Sequence, residues 1–600
     1  MSKVKSIKFA LLALIAALVL AMPTMAFAEG DSSTPAATDT IKVNTANAQG
    51  KTVAEGHSYE AYQILDGDYA DGVLSNISWG SGIQGADFLA ALKADSRTSS
   101  AFEGANSAAD VAKVLSDAKL GFDADLTKAF GDIAQQYLTG TKVSVPVNKA
   151  TSITDPGYYL VQDVLPADYY TDDDKTIVND KYKEYVSTRV ILGVYGGQAL
   201  EVNPKADVPS VDKFVKEENS NDAAADSQIG VVNSGTKDTD GTWGKIGDYE
   251  IGQVFDYQLV GSLPTNYADY TTKYWYKFTD TLSAGQTYVG NVKVYVDATE
   301  VTDGFTVTAP TGTAGGTLMV EFPDLNKLKV AAADTEYVTV TAASKIYVEY
   351  QAKLNENAIV GNAGNPNEVY LEFSNNPNKD HDGEKGKTPT KYTVVFTFKV
   401  DNTKIDADAP STKLPDAQFV LLNSDRTKIA QITDGKFVKW DDAPAALQSD
   451  DSFDPSSFDS TTIDAKYVVT SVAGGVFNIT GLDDGKYYLK EIKAPAQYNL
   501  PKNAFEFTIA STYGTGTDAY DGSAQATKEL KNLTITNTSG TTAGDVAEGT
   551  VAQDITNSKG TTLPSTGGIG TTIFYIVGGG LILAALIALV VRNRKSSTTA

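Results

Sequence analysis

The sequence predicts a mainly β protein built from tandem antiparallel β-sandwiches, with some short helix in the first domain and a hydrophobic helix near the C-terminus. Apolar and polar residues alternate with period two through most of the chain, as in IYVEYQAKL, KYTVVFTFKV and AFEFTI. Such alternation indicates strands with one buried face. Gly, Asn, Asp and Pro interrupt these runs at short intervals, which is typical of the turns in a β-sandwich.

Three domains are predicted between the two terminal segments of the chain, since residues 29–560 are enough for three domains of ordinary size. In the first, residues 29–205, strand-like segments flank two stretches with helical spacing of apolar residues, at 87–92 and 108–115. This domain is therefore predicted to mix strands and short helices. The second and third domains, residues 206–395 and 396–560, alternate almost throughout and are predicted to be β-sandwiches.

The first 28 residues have the pattern of a secretory signal peptide. A lysine-rich start precedes an apolar run at 9–20, and the small residues Ala26 and Ala28 mark a cleavage site. This order predicts that residues 1–28 direct export and are then removed. An uncleaved membrane anchor is the alternative, but the apolar run is too short to span a bilayer.

The C-terminal segment, residues 561–600, has three consecutive parts. An uncharged apolar run at 573–591 is long enough for a transmembrane helix, and the basic residues after it suit the cytoplasmic side. The pentapeptide before the run consists of Leu563, Pro564, Ser565, Thr566 and Gly567. This order resembles the cell-wall sorting signal of Gram-positive surface proteins. The resemblance implies that a sortase cuts between Thr566 and Gly567 and passes the threonyl group to an amine. An ordinary single-pass protein is the alternative.

Composition excludes several classes of function. The formal charge of −25 makes nucleic acid a poor partner. The chain has no cysteine, so an exported protein of this sequence needs a stabilising link other than a disulfide. It has no P-loop, GxSxG or HExxH motif, and we predict no enzyme active site, cofactor or metal site. His57 and His381 stand beside polar and Gly-rich residues and are predicted to be solvated loop residues.

A candidate for that stabilising link lies in the third domain. The segment YYLKEIKAP places Tyr487, Leu489 and Glu491 on one face of a strand. Burial on an apolar face raises the pKa of a carboxyl and lowers the pKa of a lysine. An acid and an amine buried on such faces therefore favour their uncharged forms.

YYLKEIKAP resembles the E-box of collagen-adhesin B-type domains and of pilin shaft subunits, where a buried acid promotes a Lys–Asn isopeptide bond. The resemblance implies that an uncharged amine attacks an asparagine side chain while the protonated acid polarises its carbonyl, so that ammonia leaves and an amide remains. The resemblance implies that Glu491 is the acid, that Lys399 in FKVDNT is the amine and that Asn557 in DITNSKG is the acceptor. Asn537 in LTITNT also ends an alternating strand and is the second candidate for the acceptor.

The second domain repeats this pattern with an aspartate. Alternation places Lys213 on a face with Val211 and Val215, and it places Asp280 and Asn375 on the apolar faces of their own strands. The segments YKFTDTLSAG and EVYLEFSNNP resemble the corresponding parts of pilin shaft subunits. The resemblance implies a Lys213–Asn375 isopeptide bond promoted by Asp280, whereas two ordinary turns are the simpler interpretation of the DT and NNP segments.

The first domain differs at the equivalent position. Its GYYLVQD aligns with GKYYLKE and places Gln162 where Glu491 stands, so no such bond is predicted there. At the end of the domain, LEVNPK resembles the pilin segment whose lysine attacks the sortase-bound threonyl group of another subunit. This implies that Lys205 is the polymerisation lysine, exposed at a domain junction, although Asn203 replaces the family's aromatic residue. A linker lysine is the alternative.

Together these segments resemble a sortase-assembled major pilin of Gram-positive bacteria with immunoglobulin-like, collagen-adhesin B-type domains. The resemblance implies a secreted, wall-anchored pilus subunit that is a substrate rather than an enzyme. It implies as partners pilin-specific and housekeeping sortases, other copies of the chain, accessory pilins, peptidoglycan and a host or microbial surface receptor. A tip or basal pilin, a stand-alone wall adhesin, a wall-anchored hydrolase and a ligand-binding receptor remain alternatives.

Overall fold

A computed structural model describes residues 38–46, 52, 56–70, 72–117, 125–169, 180–182, 185–205, 207–217, 242–270, 273–377, 385–560 and 569–596. The predicted signal peptide, His381 and the LPSTG pentapeptide lie outside these residues. Strands predominate over helices in the described part of the chain, which confirms the predicted fold class.

The first part of the chain combines two small sheets with helices. Its elements are β1 (Asp39–Val43), β2 (Tyr59–Ala70), β3 (Val73–Trp79), α1 (Gly85–Ala94), α2 (Ser99–Phe102), α3 (Ala108–Asp117), α4 (Asp125–Gln136), β4 (Val143–Val145), β5 (Thr151–Ile153), β6 (Gly157–Asp163), a 3-10 turn (Asp180–Tyr182), β7 (Arg189–Val194) and β8 (Ala199–Val202). One sheet has the order β5-β1-β8. The other has the order β3-β2-β6-β7, with β4 paired to β2.

The helices pack on the second of these sheets. Phe88 of α1, Val111 of α3 and Phe130 of α4 share a buried core with Leu160 of β6. Helices α1 and α3 contain the two predicted helical stretches. Helix α4 was not predicted, and Gly131 in its middle has low helix propensity that obscures the pattern.

The middle part of the chain is a sandwich of two sheets. Its elements are β9 (Val211–Glu217), β10 (Thr242–Gly244), β11 (Ile246–Asp248), β12 (Val254–Ser262), a 3-10 turn (Tyr267–Asp269), β13 (Tyr276–Leu282), β14 (Gln286–Val296), β15 (Thr299–Val301), β16 (Thr306–Thr308), β17 (Gly316–Phe322), a 3-10 turn (Leu325–Lys327), β18 (Lys345–Leu354), β19 (Asn365–Ser374), β20 (Lys385–Lys387) and β21 (Lys391–Phe396). The sheets have the orders β10-β9-β12-β18-β14-β15 and β11-β21-β19-β13-β17-β16, with β20 paired to β19. Alternating apolar residues such as Leu259, Phe278 and Leu371 are buried in the shared core.

The third part of the chain forms one long sheet. Its elements are β22 (Phe398–Asp406), β23 (Gln418–Leu422), β24 (Lys428–Thr433), β25 (Lys436–Asp442), 3-10 turns (Ala445–Leu447, Ser460–Thr462, Ala465–Tyr467), β26 (Val469–Thr470), β27 (Val476–Leu482), β28 (Gly485–Lys493), β29 (Phe505–Tyr513), a 3-10 turn (Gly516–Asp518), β30 (Leu530–Asn537), β31 (Gly540–Ala543) and β32 (Thr550–Asn557).

The strand order of this sheet is β31-β30-β29-β28-β23-β24-β25-β27-β22-β32, with β26 paired to β23. Four strands separate β28 from β22 in this order, yet side chains of these two strands make contact through Lys404 and Glu491. The sheet therefore folds over on itself and encloses a core, as two packed sheets do.

The described C-terminal residues form one helix, α5 (Ile569–Ser596). Residues 573–592 within it have a mean hydropathy of 2.6 and are long and apolar enough to cross a membrane. This helix contains the predicted apolar run at 573–591.

Candidate functional site

A buried lysine, glutamate and asparagine meet in the third part of the chain. Lys404 Nζ donates to Asn557 Oδ1 at 2.7 Å and to Glu491 Oε2 at 3.0 Å. Asn557 Nδ2 donates to Glu491 Oε1 at 2.8 Å. The side chains of Lys404 and Glu491 are fully buried. Each member of this cluster therefore contacts the other two without solvent between them.

The strands explain this meeting. Lys404 lies on β22, which pairs in parallel with β32, and Asp406 stands opposite Asn557 in that pairing. Alternation on β22 places Lys404 on the same face as Val400 and Asn402, and all three are buried. Glu491 lies on the inner face of β28 across the folded sheet. The aromatic rings of Phe419 and Phe505 lie 5.4 and 5.3 Å from Lys404 Nζ and form an apolar wall around it.

The sequence-based choice of Lys399 is wrong. Lys399 lies on the opposite face of β22, where its side chain is 31% exposed and its Nζ is 2.8 Å from Asp401 Oδ1. The structure brings Lys404 to the acid instead. Applying to FKVDNTKID the alternation rule that located Lys213 would have pointed to Lys404.

The second acceptor candidate, Asn537, also lies elsewhere. It ends β30, and its Nδ2 donates to Gln553 Oε1 at 3.1 Å. Asn557 is the asparagine that contacts both Lys404 and Glu491.

Burial sets the protonation of this cluster. Desolvation raises the pKa of Glu491 to about 7, against the opposing attraction of the Lys404 ammonium group. Desolvation also lowers the pKa of Lys404. Both shifts favour the uncharged acid and the uncharged amine, because an isolated charge is costly in an apolar interior. The pair therefore has the electrostatics that an amine nucleophile beside an acid requires.

A second buried cluster lies between the two sheets of the middle part. Lys213 Nζ of β9 is hydrogen-bonded to Asp280 Oδ2 of β13, and both side chains are fully buried. Tyr350 OH donates to Asp280 Oδ1 at 2.6 Å and accepts from Asn367 Nδ2 at 2.7 Å. Lys213 Nζ lies 3.2 Å from the same hydroxyl. These contacts bring Lys213, Asp280 and Asn367 together around Tyr350.

Burial again dominates the electrostatics. It lowers the pKa of Lys213 to about 8, although the Asp280 carboxylate works in the opposite direction. It also raises the pKa of Asp280. The Tyr257 ring lies 4.4 Å from Lys213 Nζ and closes the pocket on one side. Asn367 Oδ1 is buried without a hydrogen-bond partner among the described residues, so no competing contact holds the carbonyl of this amide.

The predicted acceptor of the middle part, Asn375, is not in this cluster. It follows the end of β19, where its Nδ2 donates to the Tyr169 hydroxyl and, at 2.8 Å, to the backbone oxygen of Tyr185 in the first part of the chain. Asp280 stands opposite Val369 on β19, so Asn375 is displaced by about 20 Å along the strand direction. Asn367 has the same alternation as Asn375 but stands opposite Leu282, only two positions from the residue that pairs with Asp280.

In the first part of the chain, the end of β6 has Gln162 at the position that aligns with Glu491, followed by Asp163. Gln162 stands opposite Glu60 in the β2–β6 pairing, and the adjacent Asp163 is buried. His57 Nδ1 lies 2.5 Å from Asp163 Oδ2, and Tyr185 OH donates to Asp163 Oδ1 at 2.5 Å. The side chain of His57 is buried and stacks on the Tyr185 ring at 3.8 Å. The prediction of a solvated His57 is therefore wrong, since this ring partners a buried acid whose pKa desolvation raises.

Lys205 lies at the junction between the first and middle parts. Its Nζ forms an ion pair with Asp269, and its side chain is 24% exposed. It is thus less exposed than the sequence suggested, but it lines a shallow cleft that opens to the surface. Its predicted partner in polymerisation, Thr566, lies outside the described residues.

A group of three carboxylates is the strongest candidate for a cation site in the described residues. Oxygen atoms of Asp248, Asp483 and Asp484 lie within 4.8 Å of one another, and all three residues are buried. Ser511 Oγ donates to Asp248 and Asp484 at 2.7 and 3.0 Å, and Tyr513 OH donates to Asp248 at 2.6 Å. These hydroxyl donors join the middle and third parts of the chain through the acidic group.

Comparisons with known proteins agree with the geometry of the third part and the C-terminal segment. Residues 398–522 match the family model of the prealbumin-like fold domain SpaA. Residues 555–597 match the model of the LPXTG cell wall anchor motif. The second match includes the LPSTG pentapeptide and the apolar helix, so the C-terminal segment is a wall-anchoring signal.

One curated relative is the trypsin-resistant surface T6 protein of Streptococcus pyogenes serotype M6. It is 25% identical over 301 residues, which cover 42% of this chain and 48% of the relative. The chain thus aligns with about half the length of this protein.

Solved structures with a similar arrangement include two pilins. The T6 backbone pilin of Streptococcus pyogenes serotype M6 has 16% identity and a TM-score of 0.47, covering 88% of this chain and 100% of that one. The major pilin SpaD of Corynebacterium diphtheriae has 17% identity and a TM-score of 0.41, covering 87% and 98%. The SpaA-type domain and the LPXTG motif give the chain the features of a cell-wall-anchored surface protein of a Gram-positive bacterium, and about half of the T6 surface protein is similar to it in sequence.

Proposed function

We propose that the chain is the structural subunit of a covalently polymerised, wall-anchored pilus that supports adhesion, and that its domains are cross-linked internally by Lys404–Asn557 and Lys213–Asn367 isopeptide bonds. The observation that carries this proposal is the contact of Lys404, Glu491 and Asn557 in a fully buried site. A lysine, an acid and an amide held this closely away from water have few structural uses that an apolar core would not serve better.

The bond in the third part forms by exchange of one amine for another. The uncharged Lys404 amine attacks the side-chain carbonyl carbon of Asn557, a C–N bond forms, and the original C–N bond breaks to release ammonia. Glu491 contacts Lys404 Nζ through one oxygen and Asn557 Nδ2 through the other. It can therefore take the proton that the attacking nitrogen loses and deliver one to the departing nitrogen. This role differs from the carbonyl polarisation expected from the sequence.

The middle cluster supports the same reaction with one added group. Asp280 contacts Lys213 directly, and Tyr350 OH contacts both Asp280 and Asn367 Nδ2. Burial and the Asp280 charge raise the pKa of Tyr350 well above its ordinary value, so its hydroxyl keeps its proton in the resting state. Tyr350 can give its hydroxyl proton to the departing nitrogen while it takes the proton of Asp280, and Asp280 then accepts the proton that the Lys213 nitrogen loses.

The positions of the two bonds suit a subunit under tension. Lys404 and Asn557 lie on β22 and β32, the first and last strands of the third part, which are neighbours in its sheet. A covalent link there lets force pass from one end of the domain to the other without opening the strands between. Noncovalent interactions alone stabilise a domain by about 5 to 15 kcal/mol, which is far less than a covalent bond.

Between subunits, a sortase would join Thr566 of one chain to Lys205 of the next. The Lys205 amine attacks the threonyl thioester on the sortase cysteine, an amide forms, and the thiol leaves. The chain is then a substrate of pilin-specific and housekeeping sortases, and it self-reacts only once at each cluster. Copies of itself, accessory pilins, peptidoglycan and a surface receptor are its proposed partners.

Replacing Lys205 with alanine tests the polymer link. We expect Lys205→Ala cells to lose the ladder of high-molecular-weight forms seen on immunoblots of wall extracts, because the acceptor amine is missing. Monomer attached to the wall through Thr566 should remain. The matched control is Lys181→Ala, which removes another lysine from the first part of the chain. A full ladder in Lys205→Ala cells would contradict the shaft role and favour a tip or basal pilin or a stand-alone adhesin.

A further inference from the structure

An acid from the middle part of the chain holds the amine of Lys205. Lys205 follows β8 at the end of the first part, whereas Asp269 ends the 3-10 turn Tyr267–Asp269 of the middle part. Their side chains form an ion pair across the junction. Lys128 of α4 approaches the other oxygen of Asp269, with Nζ 3.3 Å from Oδ1. One carboxylate therefore connects two lysines of the first part to the middle part.

Both members of the Lys205–Asp269 pair have a further hydrogen-bond contact. Asn266 Nδ2 lies 3.3 Å from Asp269 Oδ2, and the side chain of Asp269 is only 14% exposed. The backbone nitrogen of Lys205 donates to Thr188 Oγ1 at 2.7 Å. The position of the Asp269 carboxylate is thus restrained by several contacts. Lys205 is restrained at its backbone nitrogen and at Nζ.

The pair lies in a small surface cleft rather than in a closed core. The shallow cleft beside Lys205 has apolar walls from Leu160, Ile191 and Pro377 and is open to solvent. Burial by itself raises the pKa of Asp269, but the two lysines outweigh burial, so its pKa lies below the ordinary value. Asp269 is consequently a carboxylate at neutral pH, able to orient an ammonium group at the mouth of the cleft.

We propose that Asp269 is a positioning residue that presents the Lys205 amine to the sortase-bound threonyl group. This inference rests on the proposed function, since it assigns a role in the step that joins subunits. A lysine side chain has many accessible rotamers, so an unrestrained amine reaches an attacking geometry only part of the time. An acid that fixes the amine at the domain junction reduces the number of these rotamers before the sortase complex docks.

The chemistry leaves Asp269 unchanged. The Lys205 ammonium group loses one proton to solvent and moves out of the ion pair. Its nitrogen then bonds to the threonyl carbonyl carbon as the carbon–sulfur bond breaks, and its second departing proton goes to the sulfur. Asp269 touches neither reacting carbon nor sulfur, so its contribution lies in where the amine starts.

The test uses the full mature chain in detergent as the acceptor, with Thr566→Ala to prevent it from acting as a donor. The donor is a fluorescent peptide containing LPSTG, and the enzyme is a pilin-type sortase. We expect Asp269→Asn to lower kcat for peptide attachment about tenfold, since misplaced reacting groups commonly cost that much or more. KM for the acceptor should change little, and Asp269→Glu should recover part of the rate.

Two controls separate this inference from the proposed function. If Lys205→Ala still accepts the peptide at other lysines as fast as wild type, the assignment of Lys205 as the acceptor fails. That result is independent of the role of Asp269. If Lys205→Ala abolishes attachment but Asp269→Asn reacts as fast as wild type or faster, only the positioning role fails. A loss confined to KM, no recovery with glutamate, or an equal loss in Lys128→Met would also overturn it. An unchanged intact mass apart from the substitution verifies that the middle part of Asp269→Asn has folded.

Discussion

Replacing Glu491 with alanine is expected to leave the mature protein heavier by one ammonia than wild type, after correction for the substitution, and to destabilise the third part of the chain strongly. Without the acid, no group contacts both Lys404 Nζ and Asn557 Nδ2 to move the proton. A link between residues 404 and 557 closes a loop of about 150 residues, and the chain-entropy model gives such a cross-link about 5 kcal/mol of stability. Intact-mass spectrometry and thermal unfolding measure the two effects.

A second contribution increases the expected loss of stability. In the variant without the cross-link, Lys404 remains a buried amine that has lost its acid partner. A buried polar group that loses its hydrogen-bond partner typically costs about 1 to 3 kcal/mol. Glu491→Gln keeps the shape of the side chain and should show the same mass as Glu491→Ala with a smaller loss from packing.

Glu506→Ala is the matched control for loss of a carboxylate. Glu506 lies on β29 next to β28, accepts from the Tyr488 hydroxyl at 2.7 Å and is 48% exposed. We expect this variant to keep both ammonia losses and to melt within a few degrees of wild type. A Glu491→Ala protein with the cross-linked mass would show that the acid is dispensable and would remove the chemical basis of the proposed bond.

The sequence predicted the acids of both clusters but only part of their partners. Alternation placed Lys213, Asp280 and Glu491 on buried faces, and the structure finds all three buried. The same rule applied to β22 places Lys399 on a face with Asp401, where its side chain is 31% exposed, whereas a position near the start of the domain does not determine which face a residue occupies. Alternation assigns the faces of a strand correctly where the strand has no bulge. In β22, buried and less buried residues alternate from Phe398 to Lys404.

The acceptor in the middle part could not be found from alternation. Asn367 and Asn375 have the same parity on β19, and alternation cannot say how far along a strand two side chains meet. That distance depends on the register of β13 against β19, in which Leu282 stands opposite Asn367. This register depends on pairing between residues about ninety positions apart in the sequence. The pattern within a single strand carries no information about that pairing.

Contacts between parts of the chain were also outside the reach of sequence patterns. His57 appeared solvated because its neighbours are polar, but its partner Asp163 is 106 residues away. Lys205 appeared exposed because it follows a proline at a predicted boundary, yet Asp269 of the next domain covers its amine. Local composition describes the neighbours along the chain, whereas burial depends on which segments pack together.

Asn367→Ala is expected to remove the cross-link of the middle part, whereas Asn375→Ala is expected to keep it. Asn367 is the amide that shares the Tyr350 hydroxyl with Lys213, so its loss leaves the amine without an acceptor and retains one ammonia. The same chain-entropy model gives about 5 kcal/mol for a link between residues 213 and 367. Intact mass and tandem mass spectrometry of the joined tryptic peptides measure this outcome.

Asn375→Ala serves as the matched control because it deletes the same side chain from the end of the same strand. It removes hydrogen bonds to the Tyr169 hydroxyl and the Tyr185 backbone oxygen, so it should weaken the contact between the first and middle parts by about 1 to 3 kcal/mol without changing the number of ammonia losses. The two variants therefore separate cross-linking from domain contact. A cross-linked mass in Asn367→Ala together with a lost cross-link in Asn375→Ala would mean that β19 slides by about eight residues before the bond forms, since that movement brings Asn375 to the position opposite Leu282 that Asn367 occupies.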